Sequence, residues 1–546
     1  MGRALRALAG DPSARGRRGA LVLALALLAL GCAERPRPGV GAGGELLIGE
    51  RLDAADGLVV FRGIPYAAPP LGERRWRPPA PHAPRPGLQD ATRFGPACPQ
   101  LQGNAEWYRM VAAGFGRSPD VAPDLENVDE DCLTLNVWSR NLGGEAPQPV
   151  MVWIHGGGNA NGYASEPNYL GHNLARRGVV VVSIQYRLGA LGFMAHPALS
   201  AESERGVSGN YGILDQIAAL RWVRENIAAF GGDPERVTVF GESAGGGDIG
   251  TLIVSPLARG LFARAIVQSG GYPLNSVQSI RDEEAMGVRL MDALGAGGQA
   301  PLAAMRSLPW REIVEAVPRA VPGHYYDAVV DGWLLPAPAA ALFETSRHAA
   351  VDLLIGSTAN EWLMYFPKPV DEAQLRAALE EHVLPGDRPA ALSVLETPDR
   401  PGLAAPLDRL VGAADFHCPS LAMARAVRRV TPRVYVYRFS RVRPGGEALL
   451  AYHGAEIPYV FDTADAWLPG DATDRALTEA VLGYWVNFAK TGDPNGAGLP
   501  HWPAFDPLAE DHQDLGDAIR SAQGIERELC EILDRARAAK WEAHAR

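Results

Sequence analysis

Four things are scarce or missing in this chain of 546 residues, and each narrows what it can be. There are five cysteines, too few in proportion for a small fold stapled by disulfides. No stretch beyond the first thirty residues is apolar for long enough to span a bilayer, so no transmembrane helix is expected in the remainder. No internal repeat is present, which excludes solenoids and propellers. There is no excess of positive charge: the formal net charge is −11. An acidic surface repels phosphate backbones, so nucleic acid is not an expected partner.

What is present belongs to a folded enzyme-sized domain. The chain is 47% hydrophobic and 21% charged, enough apolar material for a large core. Its 61 glycines and 44 prolines fit many turns and long loops. The first 31 residues hold Arg3, Arg6, Arg15, Arg17 and Arg18 against Asp11, a charge of +4, so −15 is left for the rest. That basic stretch is followed by an apolar run at 20–30, the pattern of a signal peptide over residues 1–31. Gly31-Cys32 resembles a bacterial lipobox, although Ala29 and Leu30 depart from its usual residues. Two readings stand: lipidation of Cys32, or a plain secretory signal cut nearby. Either implies an exported bacterial protein, secreted, periplasmic or anchored as a lipoprotein, whose only membrane contact is that N-terminus. Residues 32–45 are rich in Gly and Pro and are expected to be a flexible tether. Residues 46–546 are expected to form one domain.

Strand-like and helix-like runs alternate through the middle of the chain, which predicts a mostly parallel sheet flanked by crossover helices, an α/β fold. Residues 150–154 and 179–184 are continuous apolar runs suited to strands buried on both faces. Helical spacing covers 215–230, GGDP at 231–234 breaks it, and 237–240 is a third strand. The segment 281–347 is more helical and irregular. The tail from about residue 514 reads as a charged amphipathic helix.

That third strand runs into Gly241-Glu242-Ser243-Ala244-Gly245, a G-x-S-x-G motif between strand and helix. Small residues are needed where a strand turns sharply into a helix, and such a turn presents the Ser243 hydroxyl above the sheet. Upstream, His155-Gly156-Gly157-Gly158 closes an earlier strand. Its glycines offer bare N–H groups, and Gly157, Gly158 and Ala244 together are expected to hold an oxyanion.

These motifs lie within a longer series: FRGIPYA at 61–67, EDCLTLNVW at 130–138, WIHGGG at 153–158, YRLGALGF at 186–193, GNYGILDQ at 209–216, GGDPERVTVFGESAGG at 231–246, QSG at 268–270, HGAEIPYVF at 453–461 and WVNFAKTGDPN at 485–495. From about residue 61 to 505 the chain resembles the type-B carboxylesterase family, which includes cholinesterases and bacterial para-nitrobenzyl-esterase-like enzymes. The resemblance implies the α/β-hydrolase fold and a serine esterase acting on small carboxylic esters, with no metal or organic cofactor. It makes Glu361 the triad acid, in Gly356-Ser357-Thr358-Ala359-Asn360-Glu361, and His453 the base. The order Ser243, Glu361, His453 is that of the fold. The family carries Gly after this Glu; here Trp362 stands instead, and is expected to reshape the loop or wall the pocket.

Further carry-overs follow from the same resemblance. Glu242 either favours an imidazolium or cationic group or is a buried, water-linked carboxylate. Ser269 resembles a serine that supports the triad. Arg62–Glu130 and Arg187–Asp215 resemble buried structural ion pairs. Cys98 and Cys132 match the family's first disulfide, while Cys418 and Cys530 either pair or stay buried and reduced. Trp107 and Tyr108 either pack a long loop or face a substrate, even a cationic one. Pocket walls are expected from the loops around 103–124 and 281–331. A lipase acting on longer acyl chains shares all these features. A non-catalytic adhesion scaffold of this fold would lack the serine that is present here. The sequence leaves oligomeric state and natural substrate open.

Overall fold

The computed structural model describes residues 37–545, except 54, 277, 298–300 and 397–401. The signal peptide and Cys32 therefore lie outside the described residues. The folded unit begins earlier than the expected tether boundary: Gly39–Ala42 is a strand paired antiparallel with Glu45–Ile48. Its alternate residues Val40 and Ala42 are buried, so local glycine content did not decide its state.

The described residues form an eleven-stranded sheet. Its centre is parallel, in the spatial order Asp511–Leu515, Val434–Phe439, Asp352–Thr358, Arg264–Gln268, Gly232–Glu242, Gln148–Ile154, Val180–Ile184. Antiparallel strands complete both edges. The central strands are apolar on both faces because both are covered. Val150, Val152 and Ile154 join one core layer, while Met151 and Trp153 join the other. The helix expected at 215–230 runs Tyr211–Asn226 and tightens into a 3₁₀ turn to Phe230. The helical run does end at GGDP, with Gly231 as its left-handed cap at φ 81°, but the next strand starts at once and runs from Gly232 through Glu242, paired with its neighbour from Gln148 onward.

Chain order reverses between Gln148–Ile154 and Gly232–Glu242. The chain steps outward to Val180–Ile184, returns to Gly232–Glu242 and then proceeds the other way. In open α/β sheets the crevice beyond the carboxyl ends of strands at such a switch is the place for a ligand. The ends of these two strands carry the HGGG and G-x-S-x-G motifs.

Two sequence expectations change here. Arg62 does not meet Glu130. A register shift between Phe61 and Ile64 re-aims it to Glu50 and to the carbonyl of Thr92, at 2.9 Å. Arg75 takes Glu130 instead, its Nε 2.7 Å from Oε2. Arg187 does pair with Asp215, in a buried bidentate contact with both N···O distances 2.7 Å. The tail is a hairpin, Asp511–Leu515 with Ile519–Gln523, before the helix Arg527–Ala545.

Both cysteine pairs are disulfides: Cys98–Cys132 and Cys418–Cys530. The second joins a buried position on the helix Cys418–Arg428 to the final helix across 112 residues of chain. By loop-closure entropy such a link stabilises by about 4–5 kcal/mol. Replacing Cys530 with Ser is thus expected to lower the denaturation midpoint under non-reducing conditions and leave that of the fully reduced protein unchanged. Equal midpoints for wild type and variant without reductant would remove this role from the link.

Candidate active site

Ser243 sits between the strand Gly232–Glu242 and the helix Ala244–Val254 with φ 54° and ψ −122°. This is a backbone conformation that non-glycine residues rarely hold, and its cost of about 1–3 kcal/mol must be met by the surrounding contacts. One of these contacts is the Ser243 N–H, which donates to the Gln268 carbonyl at 2.9 Å. Another is the first turn of the helix, which lies directly on the neighbouring strand end. A Cβ on Gly245 would stand 2.1 Å from the Ile154 carbonyl oxygen, so only glycine fits.

Glu361 follows the strand Asp352–Thr358. Its Oε1 accepts from the Thr358 N–H and the Ser269 hydroxyl, both at 2.7 Å. Ser269 is itself at positive φ, 47°, one residue beyond its strand. Oε2 meets His453 Nδ1 in a short hydrogen bond. Burial works against charge on Glu361, but the His453 imidazole and the two donors outweigh it, and its carboxyl is held below the ordinary range. Asp408 fixes the rest of the loop, accepting from the Asn360 side chain and the Trp362 N–H, each at 2.9 Å.

His453 comes from the turn before the helix Ile457–Phe461. Its carbonyl accepts from Trp107 Nε1 at 3.1 Å. Burial disfavours the imidazolium, yet Glu242 and Glu361 together hold the His453 pKa above the usual imidazole range. Glu242 Oε1 lies 3.2 Å from His453 Nε2. Burial pushes the Glu242 carboxyl upward, and nearby Glu456 and Glu361 add to that. No Ser243–His453 hydrogen bond is formed among the described residues. Glu242 occupies the approach to Nε2, an arrangement consistent with unliganded hydrolytic sites, where such bonds are often long.

Ser243, Glu361 and His453 line one cavity of about 790 Å³, and Gly157, Gly158 and Glu242 share its wall. Gly157 and Gly158 have φ of 106° and 63°. A Cβ on Gly157 would stand 2.4 Å from the Asn161 carbonyl oxygen. Ala244 opens the helix that follows Ser243.

The remaining walls were partly visible in the sequence. Residues 102–110 and 325–327 contribute, as expected from the two loops. Trp107 does more than pack: it lines the cavity and holds the base's carbonyl, while Tyr108 is buried against Glu166. Trp362 walls the cavity and stacks near Tyr365 and Phe416. Phe416, Tyr365 and Tyr272 carried no sequence signal, because distant segments bring them in. Among the described residues the lining includes Glu106, Glu242, Asp327, Glu361 and Asp415 and no Lys or Arg.

Comparison with known proteins agrees with this geometry. A family model described as "Carboxylesterase family" matches residues 44–533. Fumonisin B1 esterase of Sphingopyxis macrogoltabida is 36% identical over 483 residues, 85% of this chain and 84% of its own. Phenmedipham hydrolase of Pseudarthrobacter oxydans is 34% identical, covering 82% and 90%. Among solved structures, a PNB esterase superposes with a TM-score of 0.78 at 30% identity, over 91% of this chain and 99% of that one. A Geobacillus stearothermophilus carboxylesterase gives 0.76 at 34%, over 92% and 100%.

The electrostatics around His453 give a signed expectation. Neighbouring carboxylates favour the imidazolium, so the imidazole should lose its proton at a pH above that of a free histidine. Replacing Glu242 with Gln removes one of these charges and should move the titration to lower pH. Downfield imidazole proton resonances followed against pH read this directly; an unmoved midpoint would mean that Glu242 carries no charge when His453 titrates.

Proposed function

The chain belongs to the carboxylesterase family and hydrolyses carboxylic esters, and we propose that Ser243 is its nucleophile, His453 its general base and acid, and Glu361 the carboxylate that orients the base. The observation that carries this assignment is the buried Glu361–His453 contact in the same cavity as a serine held at positive φ on a strand-to-helix turn.

The reaction runs in two halves. Ser243 Oγ attacks the ester carbonyl carbon as His453 Nε2 takes its proton. Glu361 stabilises the imidazolium and fixes its tautomer through Nδ1. Negative charge builds on the former carbonyl oxygen, which the N–H groups of Gly157, Gly158 and Ala244 hold. One such donor is worth about 10²–10³ in rate. The tetrahedral adduct collapses, the C–O bond to the alcohol breaks, and His453 returns its proton to the leaving oxygen. Water then attacks the acyl-enzyme with His453 again as base, releasing the carboxylic acid and restoring Ser243. Ser269 acts through Glu361: its hydroxyl helps keep that carboxylate ionised. Every step runs on the chain's own residues.

Export of the protein is the companion reading. Two disulfides suit an oxidising compartment, and the basic and apolar N-terminal pattern ending at Cys32 suits a signal peptide and a lipid anchor. No helix among the described residues is long and apolar enough to cross a membrane.

Purified residues 33–546 should turn over p-nitrophenyl acetate and butyrate rapidly, and Ser243→Ala should abolish both turnover and covalent labelling by a fluorophosphonate. The palmitate ester reads how far the cavity accommodates a long acyl chain. Undiminished turnover in Ser243→Ala would move the nucleophile elsewhere. The acids of this wall, with no Lys or Arg beside them among the described residues, add an expectation about charge. An added carboxylate about 6 Å from one wall carboxylate costs about 3 kcal/mol at an effective dielectric of 20. The p-nitrophenyl hemisuccinate anion should therefore have a kcat/KM at least about tenfold below that of the butyrate ester, tenfold being 1.4 kcal/mol. Equal values would show that the wall acids are neutral when substrate binds.

A further inference from the structure

A second cavity, of about 640 Å³, shares no lining residue with the first. Asn360 and Leu450 form part of its wall, on the loops that carry Glu361 and His453 into the catalytic cavity. Its charge is of the opposite kind: Arg409, Arg438 and Arg520 stand against Asp514 and Glu526.

Two of these arginines are already engaged. Arg409 is forked on Glu526, at 3.2 and 2.7 Å. Arg520, largely exposed, reaches Asp514 at 3.4 Å. Arg438 has no hydrogen bond or ion pair among the described residues, and its Nε is buried without an acceptor. The imidazoles of His417 and His512 and the carboxylate of Glu526 lie within its electrostatic reach, but Glu526 is already taken up by Arg409.

Strand alternation explains why the guanidinium is there. On Val434–Phe439, Tyr435, Tyr437 and Phe439 belong to one core layer, and Val434 and Val436 to the other. Arg438 continues the valine face at the carboxyl end of the strand, between Ser357 and Asp514 in register. The Arg438 side chain is half-buried, with its Nε shielded and without an acceptor, and a carboxylate meets a guanidinium fork with two parallel hydrogen bonds.

We propose that this second cavity is an anion site in which Arg438 binds a small organic carboxylate, the chemical class released by ester hydrolysis. The link to the reaction product rests on the esterase reading above; the site itself does not. Its wall is continuous with the catalytic loops. Asn360 accepts from the Ala451 N–H at 3.3 Å and bridges to Tyr452, next to His453.

The test uses benzoate and the full folded chain, by calorimetry at low salt. Saturable binding is expected in the wild type, weakened about tenfold to hundredfold in Arg438→Met, the range lost with a charged hydrogen bond. Arg438→Lys, which keeps the charge but not the fork, should fall between the two. Turnover of p-nitrophenyl butyrate without added anion, measured on each variant, shows that it is folded. Benzoate should not compete with that ester in the wild type. Binding that survives Arg438→Met, or that is competitive with the ester, places benzoate in the catalytic cavity and overturns the proposal, as does the absence of binding. Because binding is read without turnover, failure of the esterase reading would appear separately, as inactive protein that still binds benzoate. Inorganic phosphate that displaces benzoate makes this a general oxyanion site, and phosphate that does not restricts it to carboxylates; both keep Arg438 as the partner.

Discussion

The site depends on one backbone contact at the point where strand order reverses. The first turn of the helix Ala244–Val254 lies against the end of the strand Gln148–Ile154, so closely that a Cβ on Gly245 would meet two carbonyl oxygens, of Ile154 at 2.1 Å and His155 at 2.7 Å. This contact places the HGGG loop next to Ser243. It also requires the chain to enter the helix through the positive φ of Ser243, since no gentler turn reaches the same approach. The two motifs thus express one constraint: backbone N–H groups can converge on a point beside the serine only where two elements meet without side chains between them.

Around that contact the protein buries more carboxylates than it neutralises, and partners decide which of them stay charged. Glu166 accepts from the Tyr163 N–H, the Tyr108 hydroxyl and the Asn104 amide, yet burial still pushes it up to about 8. Glu361 is buried as deeply, and its carboxyl is lowered instead. The difference is the imidazole of His453. Dipolar donors alone do not offset the loss of water around a carboxylate here, and neither does proximity to the imidazole, since Glu242, 3.2 Å from Nε2 without a hydrogen bond, is still pushed up; Glu361 has the charge and the hydrogen bond together. Ionisation of the triad acid is therefore a property of the pair, and Ser269 and the Thr358 N–H reinforce it.

How much of this was legible follows from the range of each interaction. The central strands, the elbow and the order of Ser243, Glu361 and His453 are written locally, in apolar runs and glycine spacing. The partners that tune them are not. Asp408 anchors the acid loop from 46 residues beyond Trp362, and Trp107 reaches His453 from 346 residues away. Neither contact leaves a periodicity or motif. Arg62 was misassigned because a bulge turned it by a step that sequence spacing does not reveal, and Arg75 took its place. The pairing of Cys418 with Cys530 needed the last helix to be placed against the helix Cys418–Arg428. The strand at Gly39–Ala42 was hidden by a composition suited to a tether, and was decided by a partner strand that buries its alternate residues.

The overall charge of −11 hides a sorting of charge within the molecule. Among the described residues, five acids and no Lys or Arg line the cavity of Ser243, while three arginines and two acids line the one behind the loops of Glu361 and His453. A neutral ester loses little on entering an acid-lined cavity. The reaction then creates a carboxylate inside it, beside Glu361 and with no cation to hold it once His453 has given up its proton. Burial pushes Glu242, Asp327 and Asp415 up, to about 8, 7 and 7, so their charge at neutral pH is only partial, whereas Glu361 is held in its ionised form; one ionised acid several ångströms away repels a product carboxylate by about 2–3 kcal/mol at a moderate dielectric. The repulsion that a product would meet therefore comes from the acids that stay ionised, Glu361 among them, and it arises because hydrolysis, unlike binding, changes the charge of what the cavity contains.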